Sequence, residues 1–175
     1  MQTTSDRVRL PRRWLLTVTL ALTGVTLAGR TPPQTTPPAA KPAPHVLFMC
    51  PHGAGKSVLA SAYFEKLARE KGLNVRVDAR GTEPDPRVSP KVAEHLTKNG
   101  YRVPVETPQK VTPDDLASAD IVISLGCDVR GLAVRPGTLR QWDEVPGPGE
   151  DLAGADAAIQ RRVAELVDEL VRQVK

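Results

Sequence analysis

The chain passes directly from an apolar run, Val46-Leu47-Phe48-Met49, into the glycine-rich segment Cys50-Pro51-His52-Gly53-Ala54-Gly55-Lys56-Ser57. A run of this kind is typical of a strand buried on both faces, and the glycines after it predict a turn into a helix. Backbone N–H groups in such a turn converge with the N-terminus of the following helix, and together they can hold a tetrahedral oxyanion. The same positive field favours the thiolate of Cys50, which is the reactive form of a cysteine. This Cys50–Ser57 loop therefore predicts a site for chemistry on an anion.

Two templates compete for this loop. A nucleotide-binding loop reads Gly-x-x-x-x-Gly-Lys-Ser/Thr, and Gly55-Lys56-Ser57 matches its end, but Cys50 stands where the first glycine is required. The other template is a cysteine, five residues, a cation and a serine. The spacing from Cys50 to Ser57 fits it throughout, with Lys56 as the cation.

The second template is the phosphate-binding loop of the low-molecular-weight phosphotyrosine phosphatases and the related thiol-coupled arsenate reductases, which this chain resembles. The nearest pattern is that of arsenate reductases whose loop reads Cys-x-His-Asn-Ala-Gly-Arg-Ser. Later segments follow in the same order as in those enzymes: Gly81-Thr82-Glu83-Pro84, then Val88 and Pro90, then Glu106-Thr107-Pro108, then Ala119-Asp120-Ile121-Val122-Ile123-Ser124-Leu125-Gly126-Cys127. The resemblance covers about residues 45–173.

Strand and helix patterns alternate along the same region. They predict strands at 46–49, 74–78 and 121–125, and helices at 57–71, 89–99, 112–119 and 151–174. Such alternation predicts an α/β fold with a parallel sheet, whose ligands bind at the carboxyl edge of the strands. Cys50 and Cys127 each end an apolar run, so both should lie at that edge. The resemblance implies a single three-layer domain, with a four-stranded parallel sheet, helices on both faces, and the first and third predicted strands as neighbours.

The resemblance also implies roles for the loop residues. Cys50 is the nucleophile, and Ser57 donates a hydrogen bond to its thiolate, a role compatible with that of an ordinary helix N-cap. The oxyanion is held by the amides of residues 51–56, which are Pro51, His52, Gly53, Ala54, Gly55 and Lys56. His52 forms a wall of the loop mouth, and Gly53 replaces an asparagine of the family. Lys56 stands where the family has arginine, and we expect weaker transition-state stabilisation because lysine offers a single point charge.

Two further assignments concern residues outside the loop. A phosphatase of this family takes its general acid from an Asp-Pro pair after the last strand, but this chain reads Trp142-Asp143-Glu144-Val145-Pro146 there. Asp143 or Glu144 could supply that proton, and a solvated surface carboxylate is the alternative. Cys127 matches a Gly-Cys of the arsenate reductases, so it is a candidate resolving thiol, with core packing as its alternative. The further downstream cysteine common in those enzymes is absent from the sequence.

The resulting prediction is a cysteine-nucleophile enzyme acting on a tetrahedral oxyanion, most like a thiol-dependent arsenate reductase. A phosphomonoester phosphatase working through a phosphocysteine is the first alternative. A non-catalytic oxyanion-binding module and a redox protein that uses Cys50 and Cys127 are the others. The partners expected are a small oxyanion or phosphoester substrate and, for arsenate, an external thiol reductant. Neither a bound cofactor nor a metal is expected.

The N-terminal residues form a separate region. Four arginines precede the apolar stretch 14–28, so residues 1–28 predict a signal peptide for export to the periplasm or cell envelope, or an uncleaved membrane anchor. Residues 29–44 are proline-rich and predict an extended linker before a domain spanning 45–175. Removing residues 1–28 deletes four arginines and one aspartate, which lowers the formal charge from +4 to +1. With so little positive charge and 3% aromatic residues, the sequence excludes a nucleic-acid-binding role.

Overall fold

A single parallel sheet organises residues 43–174, which are the residues that the computed structural model describes. The elements in chain order are β1 (His45–Cys50), α1 (Lys56–Glu70), β2 (Arg76–Gly81), α2 (Pro90–Lys98), α3 (Pro113–Ser118), β3 (Ile121–Ser124), β4 (Leu139–Gln141) and α4 (Leu152–Val174). The strand order is β2-β1-β3-β4, and every pairing is parallel. This confirms the predicted fold class and the predicted contact between the first and third strands.

Burial divides the strands into two kinds. Every residue of β1 and β3 is buried, because each of these strands has neighbours on both sides and helices or loops on both faces. The outer strands β2 and β4 are only partly buried. The continuous apolar runs in the sequence therefore marked the two central strands most clearly.

Two apolar clusters lie on the two faces of the sheet. Val46 and Phe48 of β1 belong to the larger cluster with residues of α1 and α4. Leu47 and Met49 belong to the smaller cluster with Leu116 of α3. Because side chains alternate along a strand, β1 contributes to both cores and the domain has three layers.

Several boundaries differ from the sequence predictions. The second strand was predicted at 74–78 but runs from Arg76 to Gly81, because it pairs residue by residue with β1 from His45↔Arg76 to Cys50↔Gly81. Strand β4 was not predicted from the sequence. Two of its three residues, Arg140 and Gln141, are polar and none is fully buried, so the strand has no apolar run to indicate it. The short helix was predicted correctly, and Thr112 and Asp115 form the full capping box at its start.

Ser57 is not a helix N-cap. The first helical residue is Lys56 and the N-cap is Gly55, so Ser57 lies inside the first turn with a fully buried side chain. The alternative interpretation of Ser57 as an N-cap is therefore wrong.

The predicted signal peptide or anchor at residues 1–28 lies outside the described residues, as does all but the end of the predicted linker at 29–44. Among residues 43–174, no helix has both the length and the apolar character needed to cross a membrane.

Candidate active site

The Cys50–Ser57 loop is held from outside by its carbonyl groups. The carbonyl oxygens of Cys50, Pro51 and His52 accept hydrogen bonds from the amides of Thr82, Glu83 and Asp85, at 3.3, 2.8 and 2.9 Å. The Ala54 carbonyl accepts from Ser89, at 3.0 Å. The segment that follows β2 is thus hydrogen-bonded along the outside of the loop.

The backbone N–H groups of the loop differ from its carbonyl groups in their hydrogen bonding. Among the described residues, the N–H groups of His52, Gly53, Ala54 and Gly55 donate to no protein acceptor. The first N–H groups of α1 are likewise free, as at any helix start. A run of unpaired amides next to a helix N-terminus is a site that can bind an anion.

Pro51 requires a correction to the predicted oxyanion-binding set. Proline has no backbone N–H, so Pro51 cannot donate to an anion. The amides that remain available in the loop run from His52 to Lys56. Pro51 instead lines the wall of the cavity above Cys50.

Two glycines bring the loop against the end of β2. Gly53 has a φ of +60°, as a left-handed turn requires. A Cβ added to Gly81 would lie 2.7 Å from the nitrogen of Gly53 and 2.9 Å from the carbonyl carbon of His52. The two backbone segments therefore touch, and a larger residue at position 81 would displace the loop.

Cys50 ends β1 with its thiol inside the loop. The side chain is 3% exposed, and its Sγ lies 3.3 Å from the hydroxyl oxygen of Ser57. The hydroxyl can donate to a thiolate at this distance. Of the predicted pairs of site residues, this is the one that the structure brings together most directly.

Replacing Ser57 with alanine should lower kcat/KM roughly 10- to 100-fold, because a hydrogen bond to a charged group contributes about 1.5–3 kcal/mol. The measurement is the rate of product formation from the substrates tested below. Ser61→Ala is the matched control, since Ser61 is buried one turn further along α1 and donates to Val58 at 3.3 Å. Equal losses in the two variants would show that Ser57 matters for helix packing alone.

The ammonium of Lys56 contacts segments outside the loop. Its Nζ donates to the carbonyl oxygen of Val145, at 3.3 Å. The same Nζ lies 3.0 Å from the position that a Cβ on Gly126 would occupy. Lys56 thus contacts the segments that follow β4 and β3, and it also lines the cavity over Cys50.

Cys127 is a second buried thiol at the same sheet edge. It is 7% exposed and reduced, and its amide donates to the Ser124 hydroxyl at 3.2 Å. The surroundings of the Cys127 thiol together raise its pKa to about 11: burial raises the pKa most, a hydrogen bond with Ser124 lowers it, a charge on Cys50 raises it and the charge of Lys56 lowers it. The two cysteines belong to clusters on opposite faces of the sheet, and each follows or ends one of the two neighbouring strands β1 and β3.

A cavity of about 490 Å³ opens over Cys50. Its walls come from the loop, from the segment after β2, from α2, and from the segment after β4; the lining residues outside the loop are Asp85, Ser89, Val92, Gly147, Pro148, Gly149 and Glu150. This volume is in the range of sites for small organic molecules.

The candidate general acids Asp143 and Glu144 do not line this cavity. The Asp143 carboxylate accepts from Gln141, at 3.3 Å, and Glu144 forms an ion pair with Arg162, at 2.6 Å. The carboxylates in the cavity wall are Asp85, which lies 3.3 Å from the exposed His52 ring, and Glu150. Neither carboxylate was predicted from the sequence, where the available signals are the Gly-Thr-Glu-Pro-Asp and Gly-Pro-Gly-Glu turns that follow β2 and β4.

Among residues 43–174, no group of histidine, cysteine, aspartate and glutamate side chains is arranged to hold a metal ion.

Comparisons with known proteins agree with this geometry. Residues 45–145 match the family model for the low molecular weight phosphotyrosine protein phosphatases. A Halobacterium salinarum protein provisionally named an arsenate reductase is 29% identical over 127 residues, which are 70% of this chain and 89% of that protein.

Two solved structures are similar in fold. A thioredoxin-dependent arsenate reductase of Corynebacterium glutamicum superposes with a TM-score of 0.65 and 28% identity over 78% of this chain, which spans 65% of that protein's length. A low molecular weight phosphotyrosine phosphatase of Vibrio cholerae has a TM-score of 0.66 and 24% identity, and covers 75% of this chain and 99% of its own.

Proposed function

The chain belongs to the low molecular weight phosphotyrosine protein phosphatase family, and on this basis we propose that it is a thiol-dependent arsenate reductase. Members of this family are cysteine-based phosphatases or arsenate reductases, which supports an enzymatic role. The observation that carries the choice of arsenate is the second thiol, Cys127, placed after the strand next to that of Cys50. The similarity to two arsenate reductases supports the same choice.

The first step uses the Cys50–Ser57 loop. Arsenate lies in the loop against the amides of residues 52–56, with Ser57 donating to the thiolate of Cys50. The sulfur attacks arsenic and forms an S–As bond, while one As–O bond breaks and its oxygen leaves as water after taking up a proton. Arsenic remains As(V) in this adduct.

The second step uses Cys127. Its thiolate attacks the Sγ of Cys50, so a disulfide forms and the electron pair of the S–As bond stays on arsenic. Arsenic is thereby reduced from As(V) to As(III) and leaves as arsenite. An external dithiol then reduces the Cys50–Cys127 disulfide. The Corynebacterium relative is thioredoxin-dependent, and a thioredoxin-like donor is proposed for this chain too.

A phosphomonoester phosphatase is the second candidate, and the cavity favours it. The space of about 490 Å³ above Cys50 extends well beyond the loop and has Asp85 and Glu150 in its wall. An organic leaving group could occupy that space, and a carboxyl group there could protonate it. Water would then hydrolyse the phosphocysteine.

The deciding experiment supplies the full reduced chain with arsenate in the presence of thioredoxin, thioredoxin reductase and NADPH, and in parallel with p-nitrophenyl phosphate. We expect arsenite from the first mixture, and we expect Cys127→Ser to prevent disulfide formation and stop it. Release of p-nitrophenol without arsenite would instead establish the phosphatase. If neither product forms but arsenate and p-nitrophenyl phosphate both raise the Tm, the protein is a non-catalytic oxyanion-binding module.

Export of the protein, which residues 1–28 predict, is proposed on the sequence alone. Cleavage after about residue 28 would be seen as a lower mass of the protein recovered from the cell envelope than of the full chain.

A further inference from the structure

The segment that follows β4 ends in a tight turn beside the Cys50–Ser57 loop. Residues 147–150 form this turn, in which the Gly147 carbonyl accepts hydrogen bonds from the amides of Glu150 and Asp151, at 3.1 and 2.9 Å. Proline at the second position of the turn fixes its backbone. The Asp151 carboxylate accepts from the amide of Gly154 in the first turn of α4, at 2.8 Å. The 147–150 turn is therefore held firmly at its base.

The same turn contacts the starts of two helices. The Cγ and Cδ atoms of Pro148 lie 3.4 and 3.7 Å from the position that a Cβ on Gly55 would occupy, and Gly55 is the N-cap of α1. The Gly149 carbonyl accepts from the Nζ of Lys91 in the first turn of α2, at 3.3 Å. All four residues of the turn line the cavity over Cys50. The turn is thus a fixed part of the cavity wall, next to the unpaired amides of the loop.

Gly147 leaves room for a side chain in this wall. It is half-buried, and it immediately precedes the proline that packs against the loop. A Cβ added to Gly147 would meet no atom within 4 Å, and the φ of Gly147 lies outside the left-handed region that favours glycine. Neither packing nor backbone geometry therefore requires glycine at position 147. Glycine there leaves the turn without a functional group beside the loop.

Cleavage of an ester in this cavity needs a proton donor. When Cys50 attacks a phosphomonoester, the S–P bond forms and the P–O bond to the organic group breaks, with its electron pair left on the departing oxygen. That oxygen takes up a proton as it leaves, unless the alcohol is acidic enough to depart as an anion. The donor must lie within hydrogen-bond reach of the departing oxygen, which faces the cavity because the other oxygens face the amides.

The carboxylates near the cavity are placed less directly than position 147. Asp85 and the ring of His52 lie 3.3 Å apart, and both side chains are at least half exposed. Glu150 is exposed at the last position of the turn, and Asp143 and Glu144 do not line the cavity. Arsenate makes no such demand, because its departing oxygen carries no organic group. The cavity then stays open to water, which can supply the proton.

We infer that position 147 determines which substrates this site can turn over. With glycine there, no protein acid meets the departing oxygen. The site is therefore suited to arsenate and, among phosphomonoesters, to those of acidic phenols, whereas esters of phenol itself and of ordinary alcohols react slowly. Gly147 is in this sense a specificity-determining residue. The assignment rests on the proposed function, because it requires Cys50 to be the nucleophile.

Two esters of similar size test this assignment in the parent chain. p-Nitrophenol leaves readily as an anion, whereas phenol needs a proton to leave well. A general acid contributes roughly 10²- to 10⁴-fold, so without one we expect kcat/KM for p-nitrophenyl phosphate to exceed that for phenyl phosphate by about 100-fold or more. The measurement is release of inorganic phosphate by the full reduced chain. Similar values for the two esters would show that Asp85 or Glu150 already supplies the proton, and the assignment would be wrong.

Gly147→Asp should supply the missing acid. We expect this substitution to raise kcat/KM for phenyl phosphate at least about tenfold, with a much smaller gain for p-nitrophenyl phosphate. Gly147→Asn is the neutral control. Gly149→Asp is the matched control, because it adds the same group to the same turn at a position where a Cβ also meets no atom within 4 Å. Neither control should raise the rate with phenyl phosphate, and Cys50→Ser in the Gly147→Asp chain should abolish the gain.

Two results would contradict the assignment. One is an equal gain in Gly147→Asp and Gly149→Asp; the other is no gain in a Gly147→Asp chain whose Tm still rises with phosphate. If Gly147→Asp does not fold, the comparison of the two esters in the parent chain decides. Arsenite formation is measured separately, so a parent chain that forms no arsenite would overturn the choice of arsenate without changing the effect of residue 147 on esters.

Discussion

Replacing Cys50 with serine should abolish turnover of both arsenate and p-nitrophenyl phosphate, with a loss on the order of 10³-fold or more. A serine hydroxyl is a far weaker nucleophile than a thiolate, and the loop contains no histidine placed as a base to activate it: His52 is exposed and lies beside Asp85. Product formation in a single turnover, by arsenite or p-nitrophenol detection, is the measurement.

Anion binding should survive the same substitution. The amides of residues 52–56 and the Ser57 hydroxyl remain, so phosphate should raise the Tm of Cys50→Ser about as much as that of the parent. Cys127→Ser is the companion variant, because it should stop arsenite formation but leave p-nitrophenol release unchanged. Full activity of Cys50→Ser towards either substrate would show that Cys50 is not the nucleophile.

Replacing Gly81 with alanine should destroy the anion site and lower the stability of the domain. The new Cβ would lie 2.7 Å from the Gly53 nitrogen and 2.9 Å from the His52 carbonyl carbon, and both neighbours are backbone atoms that no rotamer change can move. Overpacking of this kind costs about 1–3 kcal/mol of unfolding free energy, and each kcal/mol lowers the Tm by about 4 °C in a domain of this size.

The measurement is the Tm with and without phosphate. We expect Gly81→Ala to melt several degrees below the parent and to lose the increase that phosphate gives, since the displaced loop no longer presents its amides together. Gly149→Ala is the control, because a Cβ there meets no atom within 4 Å although Gly149 lines the same cavity. An undiminished response to phosphate in Gly81→Ala would mean that the loop does not depend on this contact.

The importance of Cys50 can be predicted from the sequence, but the importance of Gly81 cannot. Cys50 was identified as a nucleophile because a cysteine, a glycine-rich turn and a helix start are adjacent in the chain. In the sequence, Gly81 stands out only as part of a segment that resembles the arsenate reductases. Its importance comes from the contact with Gly53, which is 28 residues away and is set by the parallel pairing of β1 and β2.

The other differences between the predicted site and the site that the structure describes have the same origin. Asp143 is a candidate general acid because it follows the last strand, but its carboxylate accepts a hydrogen bond from Gln141 and does not line the cavity. The carboxylates that line the cavity belong to Asp85 and Glu150. Lys56, which is predicted to help hold the anion, lines the cavity, and the contacts of its ammonium with Val145 and the Gly126 segment are not visible in the sequence. Pro51 is the exception, because the lack of an amide hydrogen is a property of the residue type and is visible in the sequence itself.

The sequence by itself determined the fold class, the two central strands, the capping box at Thr112 and the loop that carries Cys50. These features depend on residues that are adjacent or periodically spaced, so local sterics and burial fix them. The tertiary structure alone decided the register of β2, the contact between Gly53 and Gly81, the cavity wall, and the neighbours of Lys56 and Cys127. Each of these depends on which strands lie side by side and where a long side chain ends, and no local pattern encodes either.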